Sequence, residues 1–189
     1  MHDKKFDPAK LELLNNPERL KDIPPAFVAE KLKLKNPEVM VDIGAGTGFF
    51  SVAFLQQVPK ARVFACDISQ IMIDWMKKHV VPHFPDIIPV LTRESTLPLE
   101  NDMADLVFSI NLHHELHEPL RLLKEARRVL KPGGKFLIID WKKEETGGGP
   151  PLHIRYSPDK VKQQLHIVGF REVSLCNDLS KHFMVWGTK

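Results

Sequence analysis

The chain has 189 residues, which favours one domain over two, because domains contain roughly 150 residues on average. Hydrophobic residues make up 43% and charged residues 27% of the sequence, a balance that excludes global disorder and coiled-coil arrays. The formal net charge of +3 is mild, and the basic residues are interspersed with acids. Charge alone therefore indicates neither nucleic acid nor an anionic membrane as a partner.

The two cysteines, Cys66 and Cys176, lie far apart without C-x-x-C spacing, which argues against a disulfide framework and against a zinc site. We interpret them as buried thiols in a reducing compartment. The N-terminus shows no apolar signal region, and no apolar run approaches the roughly 20 residues that span a bilayer. We therefore expect a cytoplasmic protein that does not insert into a membrane.

Residues 1–36 are predicted to form a helical N-terminal appendage or lid ahead of a domain of residues 37–189. The appendage combines a charged segment, Leu11–Leu20, with an amphipathic helix that begins near Pro24. Phe6 is an unusual apolar residue in its charged surroundings, and two interpretations stay open for it: a lid residue or an anchor to the core.

From residue 37 onward, proline and glycine separate short apolar runs from longer helical stretches, which is typical of a parallel sheet with crossover helices. The predicted strands are Val39–Ile43, Arg62–Asp67, Ile87–Thr92, Asp105–Asn111 and Lys135–Asp140. The predicted helices are Phe49–Val58, Ser69–His79, Pro119–Leu130 and Pro158–Val168, and residues 131–134 are expected to stop the third of them. Phe170–Asn177 and Ser180–Gly187 are predicted to form an antiparallel hairpin around a tight connection at residues 178–179.

A glycine-rich turn joins the first predicted strand to the first predicted helix, with the sequence Asp42-Ile43-Gly44-Ala45-Gly46-Thr47-Gly48. Glycines allow the backbone to turn tightly and to approach a ligand closely at a helix N-terminus. The dinucleotide fingerprint G-x-G-x-x-G is absent because Phe49 occupies its third glycine position, and no P-loop motif occurs. Binding of NAD or of a nucleoside triphosphate is therefore disfavoured.

Two further acids follow at the ends of the next two predicted strands. Asp67 ends the second strand, 25 residues after Asp42, and Glu94 follows the third. A carboxylate at these positions can accept hydrogen bonds from ribose hydroxyls or from an amino group. Each acid alone fits a solvated loop acid or a helix cap equally well. Their regular order favours a ligand that carries a ribose, an amino group and a positive charge.

These residues resemble the class I S-adenosylmethionine-dependent methyltransferases, in particular those of quinone biosynthesis. Asp42–Gly48 is similar to the D-x-G-x-G-x-G signature of that family, and Asp67 to its ribose-binding acid. The resemblance implies S-adenosyl-L-methionine as cofactor and an α/β fold: a Rossmann-like, seven-stranded, mostly parallel sheet with a C-terminal antiparallel hairpin and helices on both faces. Carried over position by position, it implies a cofactor-binding set of Asp42, Gly44, Ala45, Gly46, Thr47, Gly48, Asp67, Ile68, Met72, Glu94, Ser95 and Asn111.

In this family the end of the fourth strand faces the transferred methyl group, and here it reads Asn111-Leu112-His113-His114-Glu115-Leu116-His117. The motif H-E-x-x-H is absent, and Pro119 starts the next helix only after His117, so no metal site is predicted. The histidines are interpreted either as structural or as acid/base groups that face the substrate. His114 is the favoured catalytic base and His113 the second choice.

The expected function is transfer of a methyl group to a small-molecule acceptor. Trp141 fits either an aromatic wall beside the sulfonium or ordinary packing, and Lys142 and Lys143 either attract an anionic acceptor or lie in a solvated loop. DNA is not expected as a substrate, the mild charge argues against RNA, and homo-oligomerisation stays open. The alternative is a non-catalytic module that binds S-adenosylmethionine or S-adenosylhomocysteine, and a nicotinamide dehydrogenase is a distant third.

Overall fold

The computed structural model describes residues 11–189. Seven strands and seven α-helices follow one another along these residues: α1 (Leu11–Leu14), α2 (Arg19–Asp22), α3 (Pro25–Leu32), β1 (Val39–Ile43), α4 (Phe49–Gln57), β2 (Arg62–Asp67), α5 (Gln70–His79), β3 (Ile87–Leu91), β4 (Ala104–Ile110), α6 (Pro119–Val129), β5 (Leu130–Trp141), α7 (Pro158–Ile167), β6 (Arg171–Cys176) and β7 (His182–Thr188). Two short 3₁₀ turns, His113–Glu115 and Leu152–Ile154, follow β4 and β5.

The strands form one sheet in the order β3-β2-β1-β4-β5-β7-β6. β1 to β5 run parallel, and β7 pairs antiparallel with both β5 and β6. The chain changes direction across the sheet between β1 and β4, and open α/β sheets bind ligands at this switch point, beyond the carboxyl ends of the strands. The predicted fold class is confirmed.

Alternate residues of the central strands pack on opposite faces of the sheet, and each face has its own apolar core. Met40, Leu106 and Phe108 pack with α3, α4 and α5 on one face. Val41 and Val107 pack with α6 and α7 on the other. This burial on both faces explains why β1 is apolar at nearly every position.

Two predicted boundaries are wrong. Residues 131–134 do not separate α6 from the next strand, because α6 ends at Val129 and β5 begins at Leu130. Leu130 already pairs with Ala104 of β4, and the pairing shifts register before Leu106, which accommodates the two glycines within the strand. The connection between β6 and β7 spans residues 177–181 and is not a tight turn, since Leu179 is buried in the core.

The N-terminal segment packs against the sheet and its helices. α3 begins at Pro25, as predicted near Pro24, and the charged segment 11–20 contains α1 and the start of α2. Ile23, Val28 and Leu32 are at most 1% exposed and belong to the core that contains α4. A boundary between residues 36 and 37 stays a prediction, and Phe6 lies outside the described residues.

Both cysteines are buried and unpaired, as expected. No helix within residues 11–189 is long and apolar enough to cross a membrane.

Candidate cofactor and acceptor sites

A cavity of about 380 Å³ opens at the switch point of the sheet, and we call it the switch-point cavity. Its volume lies in the range of small-molecule sites, roughly 300–1,000 Å³. Nine of the twelve residues predicted to bind the cofactor line it: Asp42, Gly44, Ala45, Gly46, Asp67, Ile68, Met72, Glu94 and Asn111. Residues from the ends of four parallel strands thus converge as the sequence predicts.

The glycine turn after β1 is held by β2. The amides of Gly44 and Ala45 donate to the carbonyl oxygen of Cys66, at 2.9 and 3.0 Å. Gly44 has a φ of +75°, and a Cβ there would lie 2.9 Å from the side chain of Leu112. A larger residue at position 44 would therefore displace the wall of the cavity.

Asp67 joins the glycine turn to the start of α5. One carboxylate oxygen accepts the Gly46 amide at 2.8 Å, and the other accepts the Ser69 amide at 2.9 Å. Burial raises the pKa of Asp67, while these amide donors oppose the rise. Each carboxylate oxygen can still accept a second hydrogen bond. The carboxylate is therefore fixed in orientation and keeps free acceptor capacity, while its binding of ribose hydroxyls stays a prediction.

Asp42 is 2% exposed near the end of β1 and lines the same cavity. Ser51 donates its hydroxyl to the carboxylate at 2.7 Å. Burial, with a smaller contribution from the charge of Asp67, raises the pKa of Asp42 to about 7, although Ser51 and the charge of Arg19 oppose the rise. A cationic ligand group beside Asp42 would favour its ionised form.

Arg19 lines the switch-point cavity, and the sequence analysis did not identify it. Its guanidinium lies 4.7 Å from the ring centre of Phe50 and 5.3 Å from that of Phe49, and it donates to the carbonyl oxygen of Leu14. Burial lowers the pKa of Arg19 to about 10, so the group stays cationic at neutral pH. Within residues 11–189 it forms no ion pair, and it can therefore bind an anionic ligand group. The sequence offers no signal that distinguishes Arg19 from the other charged residues of its segment.

Asn111 follows β4 with a left-handed backbone, at a φ of +57°. Its Oδ1 atom is buried without a hydrogen-bond partner among the described residues, although Asn111 lines the cavity. An unpaired buried acceptor is costly, so a donor from a ligand would stabilise it. Acids, one cation and this free acceptor match a ligand with an ammonium, a carboxylate and a ribose. The residues present fit S-adenosylmethionine.

Glu94 links the segments after β3 and β4, because it accepts the backbone amide of His117 at 3.0 Å. Both residues line the switch-point cavity. Thr47, Gly48 and Ser95, the other residues predicted to bind the cofactor, are not among its lining residues. Gly48 is instead the N-terminal cap of α4, with a φ of +78°. Its role in this structure is therefore to form the turn.

His114 is held by the buried carboxylate of Asp140, at the end of β5. Its Nδ1 lies 2.7 Å from one carboxylate oxygen, and its backbone amide donates to the other at 2.9 Å. The Nε2 atom lies 3.7 Å from a carboxylate oxygen of Glu115. Burial lowers the pKa of His114, but the hydrogen bond to Asp140 and the charges of both acids outweigh burial and raise it overall.

His113 occupies a different environment. It is 1% exposed, its Nε2 lies 2.8 Å from Oε1 of Gln164, and Tyr156 packs edge-on against its ring. Burial lowers the pKa of His113, which favours the neutral ring. The residue links the 3₁₀ turn to α7, and its geometry does not support a role in proton transfer.

No group of three or more His, Cys, Asp or Glu residues within 11–189 is placed to hold a metal ion.

A second cavity, of about 490 Å³, lies on the other side of the 3₁₀ turn, where His114 contributes to its lining. Leu116 lines both cavities.

Trp141 lines neither of the two cavities, because its ring packs 4.4 Å from that of His182 and against Gly149. The packing interpretation of Trp141 is therefore the one that the structure supports.

Comparison with known proteins is consistent with this site. A family model described as a methyltransferase domain matches residues 41–138. A solved S-adenosylmethionine-dependent methyltransferase from Aquifex aeolicus superposes with a TM-score of 0.90 at 33% identity, covering 97% of this chain and 99% of that one.

Two curated relatives are also similar. A malonyl-[acyl-carrier protein] O-methyltransferase from Methylococcus capsulatus is 37% identical over 74% of this chain and 54% of its own length. A ubiquinone/menaquinone biosynthesis C-methyltransferase from Paracoccus denitrificans is 30% identical over 62% of this chain and 48% of its own length. The chain thus spans about half the length of these relatives.

The chain belongs to the methyltransferase-domain family, and a solved S-adenosylmethionine-dependent methyltransferase matches nearly its whole length. The resemblance predicted from the sequence is confirmed, and so is S-adenosylmethionine as the cofactor.

Proposed function

We propose that the protein transfers the methyl group of S-adenosylmethionine to a small-molecule acceptor. The observation that carries the proposal is that two cavities share Leu116 in their lining, one of them lined by the cofactor-type residues and the other by His114. A module that only binds the cofactor has no need of a second cavity at this position. The relative named for ubiquinone/menaquinone biosynthesis supports a small-molecule acceptor, whereas the other is named for malonyl-[acyl-carrier protein].

The bound cofactor would supply an electrophilic methyl group on a sulfonium. The chain's own residues would position the cofactor and the acceptor and would remove a proton from the acceptor. Asp67 would accept hydrogen bonds from the ribose, while Asp42 and Arg19 would hold the ammonium and the carboxylate of the methionine part. Fixing both reactants in one geometry removes most of the entropic cost of the displacement. Glu94 and Asn111 complete the lining on the side of the 3₁₀ turn.

His114 is the proposed general base. Asp140 fixes its Nδ1, which leaves Nε2 to accept a proton from the acceptor. Because the pKa of His114 is raised by the hydrogen bond to Asp140 and by the charges of Asp140 and Glu115, its ring stays protonated to a higher pH than that of an ordinary histidine. We therefore expect kcat/KM to fall as the pH is lowered through this raised pKa.

The first test asks for the reaction itself. Calorimetry with S-adenosylmethionine measures cofactor binding, and a screen of a metabolite extract for transfer of a labelled methyl group measures turnover and supplies the acceptor. Binding without any labelled product, from small molecules or from RNA, would favour the non-catalytic module instead.

The second test addresses the base. We expect His114→Ala to leave cofactor affinity unchanged and to lower turnover by roughly 100- to 10,000-fold. Asp140→Asn removes the negative charge that raises the pKa of His114, so the acidic limb of the pH profile should move to lower pH. His166→Ala, at an exposed position on α7, is the matched control. Weakened cofactor binding with normal turnover in His114→Ala, or an unmoved limb in Asp140→Asn, would reject this assignment.

A further inference from the structure

The second cavity is lined by cationic and hydrogen-bonding side chains. They include His114, Lys143, His153, Arg155, Ser157 and Lys160, and no Asp or Glu belongs to the lining. A concave site with one sign of charge concentrates ligands of the opposite sign. The chain as a whole carries a net charge of only +3, so this local excess is a property of the site.

Arg155 contributes a buried cation that forms no ion pair with a carboxylate of residues 11–189. It is 4% exposed, and its guanidinium donates to the carbonyl oxygens of Lys142, Glu144, Gly148 and Pro150, at 2.7–3.0 Å. A fifth donor contact reaches the hydroxyl of Thr146 at 3.1 Å. These bonds satisfy the donors geometrically but leave the full positive charge beside the cavity. They also hold the loop that carries Lys143.

The two lysines of the lining are exposed and free of ion pairs with other described residues. Lys160 makes only a long contact, 3.3 Å, with the side-chain oxygen of Gln163. The nearby acid Glu144 lies outside the lining and is 3.9 Å from Lys142. Both Lys143 and Lys160 can therefore turn toward an anion in the cavity.

The cavity also lies at the start of α7, a helix of ten residues that begins at Pro158. Ser157, which lines the cavity, caps this helix by accepting the amide of Lys160 at 3.3 Å. The positive end of the helix dipole adds to the charge of the side chains. His113, bonded to Gln164 of the same helix, keeps α7 against the 3₁₀ turn.

Resting on the methyl transfer proposed above, we propose that the second cavity binds the anionic group, a carboxylate or a phosphate, of a small acceptor. An acceptor anchored in this way extends past Leu116, which lines both cavities, with His114 beside it. Lys143 and Lys160 bind the anion directly, and Arg155 supplies the fixed positive charge behind them. The site thereby selects anionic small molecules over neutral ones.

The direct test uses simple anions as probes. Inorganic phosphate and, in a separate series, citrate are titrated into the ¹⁵N-labelled protein at constant ionic strength. We expect saturable shifts of the amide signals of residues 143, 153–157, 159 and 160, and the stronger of the two probes distinguishes phosphate from carboxylate recognition. Absence of saturable shifts with both probes, or shifts spread over all surface lysines, would overturn the proposal.

A pair of matched double variants localises the effect. Lys143→Gln with Lys160→Gln is expected to weaken anion binding at least tenfold and to leave S-adenosylmethionine affinity unchanged. Lys77→Gln with Lys78→Gln removes the same charge from exposed positions on α5 that line neither cavity. Equal weakening of anion binding in both double variants would mean that binding depends only on the overall charge of the protein, which would contradict a specific site.

The acceptor screen separates failure of this inference from failure of the proposed function. The metabolite extract is divided on an anion exchanger before the labelled methyl group is offered. We expect labelled product from the retained fraction, with a raised KM in the Lys143→Gln, Lys160→Gln variant. Product only from the unretained fraction, or in macromolecules, rejects the anionic acceptor while methyl transfer stands. No product from either fraction counts against the proposed function and removes the basis of this inference.

Discussion

Asp42 is the residue at which we expect protonation and cofactor binding to be coupled. In the ligand-free protein its pKa of about 7 leaves the carboxyl group roughly half protonated at neutral pH. The ammonium and sulfonium charges of S-adenosylmethionine favour the ionised form. Binding near pH 7 should therefore release about half a proton from this residue.

Calorimetry in two buffers with different ionisation enthalpies measures that release. We expect the apparent binding enthalpy to differ between the buffers for the natural protein and to become buffer-independent in Asp42→Asn, which also binds more weakly. Asp86→Asn removes a charge at an exposed loop position and should behave like the natural protein. The same enthalpy in both buffers for the natural protein would contradict the coupling.

The same pKa has a consequence for stability. A carboxyl group whose pKa is raised in the folded state destabilises that state progressively as the pH rises from about 4 to about 7. We expect ligand-free Asp42→Asn to gain unfolding free energy relative to the natural protein at pH 8, on the order of 4 kcal/mol, and almost none at pH 4. Denaturant unfolding at the two pH values checks this. An equal change at both would show that the carboxyl group is already ionised in the folded protein.

At the scale of elements, the glycine turn between β1 and α4 combines two functions. Gly44 and Gly46 line the switch-point cavity, whereas Gly48 forms the helix cap, and a Cβ there would lie 3.1 Å from the sulfur of Met76 on α5. The resemblance places all three among the cofactor-binding residues. The structure supports binding for the first two and packing between α4 and α5 for the third.

Gly48→Ala separates these roles. We expect a loss of about 2–3 kcal/mol of stability, from left-handed backbone strain together with the displacement of Met76, and an unchanged affinity for S-adenosylmethionine. Gly133→Ala is a matched control, because its φ of +80° is the same but nothing lies within 4 Å of the added Cβ, so it should cost only about 1–2 kcal/mol. Thermal unfolding measures the loss of stability, and calorimetry measures the affinity for S-adenosylmethionine. A large loss of affinity in Gly48→Ala at a temperature where it is folded would restore the cofactor role.

At the scale of the whole molecule, the N-terminal segment is bound to the rest of the chain and contributes to the site. Lys181 pairs with Asp22 at 2.9 Å, and Lys31 pairs with Asp178 at 2.8 Å. Leu14 and Arg19 line the switch-point cavity. Residues 11–36 therefore combine an anchor with a wall of the switch-point cavity, and a lid role for the segment stays a prediction.

Arg19→Gln tests that interpretation at one side chain. We expect S-adenosylmethionine to bind roughly 10- to 100-fold more weakly, the usual effect of losing a charge-assisted hydrogen bond. Methylthioadenosine, which lacks the amino-acid part, should bind both proteins equally. Arg121→Gln, at an exposed position on α6, is the control. Removal of residues 1–20 should reproduce the effect of Arg19→Gln, and a folded truncated protein with normal affinity would reduce the segment to an anchor.

The strands and the cofactor-type acids could be predicted because their signals are local. A buried parallel strand is apolar throughout, its end is marked by an acid or a glycine, and the interval between Asp42 and Asp67 follows from one helical crossover. The start of β5 could not be predicted in this way. Proline and glycine at residues 132–134 indicate a break, and only pairing of Leu130 with Ala104 extends the strand across them.

The sequence by itself determined the fold class, the family and nine of the residues that line the switch-point cavity, because each of these signals is a short local pattern. Only the tertiary structure distinguished His114 from His113, because their partners, Asp140 and Gln164, belong to distant elements. It also brought Arg19 into the cofactor site, and Lys143 and Lys160 together around an unneutralised Arg155. A charge in a sequence has the same appearance whether it is solvated or directed into a cavity, and only the folded chain decides between the two.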